Sequence, residues 1–258
     1  MRLNAQLKAL LPFGVRHRLL WWRSRLTQWP PRGMVRFGDL RRVTPISPRF
    51  SFGRGLSVDR YYIERFIQQS AADIAGDVLE IGDPTYTRRF GGSRVASSHV
   101  LHVVEGNPQA TIVADLRSGG QLGAERFDCI ICTQTLQYID DVRAAVGTLH
   151  RLLKPGGVAL VSVPGISQIS RYDMDRWGEY WRFTTRSAQR LFGERFSDGT
   201  VTVEAHGNVL AAVAFLHGMA ADELRPAELD ARDPDYEVAI LVRAAKSYAH
   251  PGSQREAS

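Results

Sequence analysis

The sequence predicts an α/β fold built on a mostly parallel sheet, and three observations carry that prediction. Residues 127–133 (FDCIICT) and 158–163 (VALVSV) are short apolar runs of the kind seen in strands covered on both faces. Between them Ile139, Val142, Val146, Leu149 and Leu153 recur at the spacing of a helix lying on a sheet. Asp140 and Asp141 stand where that helix begins, and Lys154, Pro155, Gly156 and Gly157 stop it. Strand, helix, strand in this order implies parallel pairing through a right-handed crossover. Ligands of such sheets bind beyond the carboxyl ends of the strands, here near Gln134 and Ser167.

A length of 258 residues suits one large α/β domain or two small ones, and 44% hydrophobic with 23% charged residues is the composition of a globular chain. The formal charge of +6 is unevenly placed. Residues 1–54 carry 12 of the 33 Lys+Arg and a single acid, Asp39, so the remainder is mildly acidic. Basicity therefore belongs to the N-terminal arm, and a nucleic-acid partner is not expected. Cys129 and Cys132 have C-x-x-C spacing, but on a strand residues three apart point to opposite faces. Both are read as core residues, in keeping with a reducing cytoplasm. No Cys or His cluster has zinc spacing, and no metal is expected.

In the arm, Val15, Leu19, Trp22, Leu26 and Trp29 follow helical spacing, with Arg16, Arg18, Arg23 and Arg25 on the flanks. Such a basic amphipathic helix suits an anionic membrane surface, which would place the protein at the inner face of the membrane, or packing on the domain or on a second subunit. It reads as neither a secretory signal nor a bilayer span, because arginines interrupt its apolar part, and a cytoplasmic protein is expected. Residues 30–56, punctuated by Pro30, Pro31, Gly33, Pro45, Pro48, Gly53 and Gly55, read as an irregular connector whose arginines face solvent or touch phosphate or an acidic substrate. The expected boundaries are 1–56 for arm and connector, 57–246 for the main domain and 247–258 for a polar tail.

Ser57 caps an expected helix with Tyr61, Ile63, Phe66, Ile67 and Ala71 on its apolar face, ending at Gly76. Strands are expected at 78–82 (VLEIG) and 100–105 (VLHVVE), with 111–116 (TIVADL) a third, irregular or antiparallel segment. The five residues 106–110 leave no room for a crossover helix, and residues 83–99 hold only a short one.

FD opening an apolar strand, followed about twenty residues later by LKPGG, resembles the later half of the class I methyltransferases that use S-adenosylmethionine (SAM). The resemblance covers residues 57–245 and implies a Rossmann-like, mostly parallel sheet with an antiparallel closing strand, its helices trimmed in the cofactor half. It also implies SAM as cofactor. Glu80 and Gly82 match the family's E-x-G-x-G motif, but Asp83 and Pro84 follow, so the glycine motif is degenerate. Where the motif departs, Asp83 is placed to face the cofactor ammonium and Arg88 or Arg89 its carboxylate, or else the segment is an ordinary polar turn. By the resemblance, Glu105 faces the ribose hydroxyls. Asp115 and Leu116 lie at the adenine, and Gln134 lies beyond the fourth strand.

Residues 164–184, at the end of the fifth strand, are dense in Arg, Asp, Trp and Tyr. Arg171, Asp173, Trp177 and Tyr180 are the candidates for binding a small-molecule or glycan acceptor, through stacking faces and hydrogen bonds, or else for anchoring the loop. Thr185 caps a helix carrying Ala188, Leu191 and Phe192, and 201–205 form the sixth strand. His206 then stands at a strand end, where an imidazole could take a proton from an attacking hydroxyl; Asp175 is the other candidate base. A helix from Asn208 to Ala221 and a closing strand at 236–242 (YEVAILV) complete the domain. The function expected is SAM-dependent methylation of a small polar acceptor, a sugar hydroxyl of a bacterial surface glycan or related product. The alternatives are a methyltransferase-like scaffold that has lost SAM binding and a small-molecule or quinone methyltransferase at a membrane.

Overall fold

The computed structural model describes residues 14, 15, 18, 21–23 and 27–248, and the chain divides into two compact units between Val43 and Thr44. In the first unit Val15, Arg18, Trp21, Trp22 and Arg23 are helical, and the two tryptophan rings meet edge to face at 5.3 Å. Leu19 and Leu26 of the expected stripe lie outside the described residues. Among the described residues no helix is long and apolar enough to cross a membrane.

The second unit is built on seven strands: β1 (Gly76–Ile81), β2 (Val95–His102), β3 (Ile112–Val113), β4 (Phe127–Thr133), β5 (Leu153–Pro164), β6 (Thr200–His206) and β7 (Ala239–Ala245). They are ordered β3-β2-β1-β4-β5-β7-β6. The first five pair in parallel; β7 runs antiparallel to both β5 and β6. This is the expected Rossmann-like sheet with its antiparallel closing strand. TIVADL contributes a two-residue strand that is parallel.

Helices cover both faces. One face packs under α1 (Val58–Gln69) and α5 (Val209–Leu216), with Tyr62, Ile63, Ile67 and Phe215 against Val78, Cys129, Ile131 and Leu160. The other lies under α2 (Val142–Leu152) and α4 (Thr185–Arg195), with Val146, Leu149 and Phe192 against Leu79, Ile130, Cys132 and Val161. The two cysteines, both free, are thus buried in opposite layers. Two short helices, α3 (Arg171–Trp177) and α6 (Pro226–Asp230), lie in the loops after β5 and α5.

Side chains cap α2, α4 and α5, whereas Ser57, the expected cap of α1, makes no capping bond and donates to Asp59 instead. Asp141 accepts from the Ala144 amide at 3.0 Å at the start of α2, and Thr184, one residue before the expected cap, forms a capping box with Ser187 on α4. Between β1 and β2 there is only a π-type turn, Thr87–Gly91, and a 3-10 turn, Gly92–Arg94. The LKPGG segment is the beginning of β5 itself. Lys154 Nζ reaches Asp77 of β1 at 2.7 Å and Asp128 of β4 at 2.8 Å, so one ammonium joins three strands at their amino ends. Gly156, at φ +80, sits where an added Cβ would strike the Tyr248 ring.

Residues 44–56, read from the sequence as connector, belong to the second unit. Ser47 N donates to His217 O at 3.0 Å, Ala221 N to Leu56 O at 2.7 Å, and Arg54 pairs with Glu223. These partners lie far away in sequence, so local composition carries no trace of them.

Candidate active site

The chain places β2 and β3 on one side of β1 and β4 on the other, and the carboxyl ends on either side of that reversal enclose a cavity of about 260 Å³. This is the position at which open α/β sheets bind ligands. Its apolar lining comprises Ile81, Leu101, Val103, Ala114, Leu116 and Ile139. Its polar and aromatic lining comprises His102, Asp115, Arg117, Gln134, Tyr138, Asp140, Asp173, Trp177 and Tyr180.

Gly82 follows β1 at φ +95, and a Cβ built there meets nothing within 4 Å, so its backbone faces open space. Asn107 Nδ2 donates to Gly82 O at 2.7 Å and ties the loop after β2 to this turn. Gln134, just past β4, is held at φ +48 by its amide bonding Ser162 O and Oγ. A non-glycine residue in that conformation marks a constrained position of the kind that clusters at binding sites.

Asp115, Arg117 and Asp140 form a charged group on the cavity wall. Arg117 donates from Nε and Nη2 to Asp115 Oδ2 at 2.8 and 2.6 Å, and from Nη1 to Asp140 at 3.1 Å. The guanidinium holds the Asp115 carboxyl below its usual range. Asp140 is lowered first by a backbone hydrogen bond at the start of the following turn and then by Arg117. Burial pushes the Tyr138 phenol up to about 12, so it remains a hydrogen-bond donor at neutral pH. Its hydroxyl donates to Asp173 at 3.2 Å, and Ser170 Oγ donates to the same oxygen.

The loop after β5 is fastened at several points. Trp181 Nε1 donates to Ile139 O at 2.9 Å, Tyr180 N to Gln137 O at 2.8 Å, and Phe183 N to Pro164 O at 2.9 Å. Glu179 accepts from Ser170 N at 2.9 Å and pairs with Arg182 at 2.7 Å.

Of the residues singled out in the sequence, Gly82, Asp115, Leu116, Gln134, Asp173, Trp177 and Tyr180 meet in this one cavity. The others do not line it. Glu80 is buried, and its carboxylate accepts from Tyr86 N, Thr87 N and Thr87 Oγ1 at 3.0, 2.8 and 2.7 Å. Burial raises its pKa against those three bonds; its work is to fold the loop after β1. Asp83 is exposed and turns back to the Thr85 amide, and Arg89 pairs with Glu64. Strand β2 stops at His102, which leaves Glu105 exposed in the turn three residues on, within the loop that Asn107 anchors. Arg171 and Asp175 face each other on the outside of α3 at 3.5 Å, with side chains 71% and 61% exposed.

His206 ends β6 on the expected edge of the sheet, but β5 and β7 separate that strand from β4. It lies against the Tyr62 ring at 5.3 Å, in a separate cavity of about 160 Å³ with Arg65, Asp230 and Arg232. Desolvation, then Arg232, lowers its pKa. Neither His206 nor Asp175 lines the main cavity.

Sequence reasoning missed His102, Arg117, Tyr138 and Asp140. Their positions just beyond strands or in the LQYIDD turn were the available signal. Among the described residues no group of three or more His, Cys, Asp or Glu is placed to hold a metal ion.

A family model described as a methyltransferase domain matches residues 58–198. No curated protein matches the chain. Similar solved structures include the YcgJ protein of Bacillus subtilis, 14% identical over 73% of this chain and 100% of that one, with TM-score 0.48. They also include the N-methyltransferase NodS of Bradyrhizobium japonicum in complex with S-adenosylhomocysteine (SAH), 16% identical over 88% of this chain and 97% of that one, with TM-score 0.46. A SAM-dependent methyltransferase of Archaeoglobus fulgidus is 10% identical over 72% of this chain and 94% of that one, with TM-score 0.48.

Proposed function

Because the chain belongs to the methyltransferase-domain family, whose model spans residues 58–198, we propose that it transfers a methyl group from SAM to a hydroxyl of a small polar acceptor, a sugar in bacterial surface-glycan or related biosynthesis. It is a SAM-dependent methyltransferase. The residues present fit that cofactor: the open backbone at Gly82, the apolar side chains of Ile81, Leu101, Leu116 and Ile139, and the Asp115 carboxylate. Gly82 would receive the amino-acid portion, Leu116 and Ile139 the adenine, and Asp115 the adenine amino group. SAM supplies an activated methyl group on a sulfonium.

The observation that carries the acceptor reading is the placement of Asp173. Its carboxylate borders the cofactor cavity beside Gln134 and Tyr138, with Trp177 and Tyr180 next to it. A hydroxyl must lose its proton as it attacks, and Asp173 is the carboxylate placed to take it. Tyr138 and Ser170, both bonded to one oxygen of Asp173, hold it in place and leave the other for the acceptor. The aromatic rings give a sugar a stacking face, and alignment of the acceptor supplies most of the remaining rate.

The test is incubation with methyl-labelled SAM and a panel of sugars and sugar derivatives, followed by identification of the methylated atom. O-methylation is expected, and Asp173→Asn should lower kcat by about 100- to 10,000-fold with little change in the KM for SAM. Label found on nitrogen, or on an apolar quinone, would overturn this reading.

A further inference from the structure

We infer that the acceptor carries an oxyanion, a phosphate ester or a carboxylate, held by Arg49 and Arg60 in a second cavity that adjoins the cofactor cavity through Gln134, Tyr138 and Asp173. The inference rests on the reading of Asp173 as the group that receives the acceptor's proton, and adds what holds the acceptor's other end.

The second cavity has a volume of about 590 Å³. Its lining includes Arg49, Phe50, Phe52 and the first turn of α1, together with Ser167, Ser170 and Glu179. Two of its carboxylates are already engaged: Asp59 accepts from Ser57 Oγ and Arg60 N, and Glu179 pairs with Arg182. Asp173 takes Tyr138 and Ser170 on one oxygen and keeps the other for the acceptor hydroxyl. Asp59 and Asp83 lie close enough to favour the Arg60 charge, but among the described residues neither Arg49 nor Arg60 forms an ion pair with a carboxylate. Arg60 Nη1 donates to the Tyr86 phenol at 2.9 Å, and Arg49 lies over the Phe52 ring at 5.1 Å.

Two guanidinium groups with free donors in one cavity, beside the positive end of a 12-residue helix, are suited to phosphate or carboxylate oxygens. A second observation points to a ligand. Gln137 lines this cavity and is 2% exposed, and its Oε1 has no hydrogen-bond partner although its Nε2 donates to Gln134 at 3.2 Å. Buried acceptors are seldom left unpaired, and a hydroxyl on the bound acceptor would supply the missing donor. The anion would then sit by the arginines, with the hydroxyl-bearing end toward Gln137 and Asp173.

Calorimetry on the full chain saturated with SAH tests this, with inorganic phosphate, glucose 6-phosphate, glucuronate and glucose as probes. Glucose 6-phosphate or glucuronate should bind about tenfold or more tightly than glucose, and the stronger of the two identifies the anion. Inorganic phosphate should compete with it. Arg49→Gln and Arg60→Gln should each weaken that anion by about tenfold with SAH affinity unchanged, and Arg60→Lys should keep part of it. Unchanged SAH affinity also shows that the variants are folded. The proposal falls if glucose binds as tightly as both anions, if both Gln variants bind the anion like wild type, or if Arg60→Gln weakens SAH instead. Methylation at an atom other than oxygen, with anion binding intact, would sink the hydroxyl reading alone.

Discussion

The two halves of the sheet are built by different means. In the back half β4 and β5 run for seven and twelve residues and are joined by α2, an 11-residue helix with a buried stripe. In the front half β3 has two residues, and the connections around β2 contain only turns. A turn cannot bury an apolar stripe, so the front half uses polar side chains as fasteners. Glu80 collects two amides and a hydroxyl, Asn107 holds Gly82, and Arg117 joins Asp115 to Asp140. A crossover helix strengthens one half, and in the other hydrogen bonds aimed at backbone and carboxylates add to the packing of Val78, Leu79, Leu101 and Leu116.

The comparison can be broken by substitutions of graded effect. Leu149→Ala, a cavity in the core under α2, should cost about 2–5 kcal/mol in denaturant unfolding. A smaller loss would mean that the back half does not rest on that stripe. Glu80→Ala should cost about 1–3 kcal/mol, because two buried amides lose their acceptor. It should also weaken SAH binding by freeing the loop after β1, and unchanged SAH affinity would show that this loop is irrelevant to the cofactor.

Arg117→Ala acts through pH. Asp115 is held below its usual value in the folded chain, so its contribution is complete above the unfolded value of about 4 and fades as the pH falls through the lowered one. Without the guanidinium, SAH affinity should begin to fall at a higher pH than in wild type. Coincident pH profiles would separate Asp115 from cofactor binding. The smallest effect belongs to Asp175→Ala, which removes an exposed pair on α3 and should stay within about 0.5 kcal/mol with kcat unaltered; a large loss of turnover would restore Asp175 as a candidate base.

The same division explains what could be read before the structure was known. Periodicity located α1, α2, β4 and β5 because each buries a regular apolar pattern in its own sequence. Val103 and Val104 extend the apolar run of β2 in sequence, yet the chain turns there and Glu105 leaves the strand. For His206 the local reading identified the correct edge of the sheet, but its lateral position depends on pairing between β6 and β7, across a separation of more than thirty residues. Arg49 and Arg60 escaped notice as a pair for a similar reason: residues 44–56 look like a linker until Glu223, His217 and Ala221 are brought against them.

Lys154 gives one of these features a wider meaning. LKPGG, one part of the combination that carries the family resemblance, works through Lys154 as a rivet at the amino ends of β1, β4 and β5, on the edge of the sheet opposite the chemistry. Changes at the far edge would alter turnover and leave the rivet, and the sheet it holds together, in place. A lineage could therefore lose catalysis and keep LKPGG unchanged. The motif speaks for a sheet that holds together, and evidence of a working enzyme has to come from the other end of the strands.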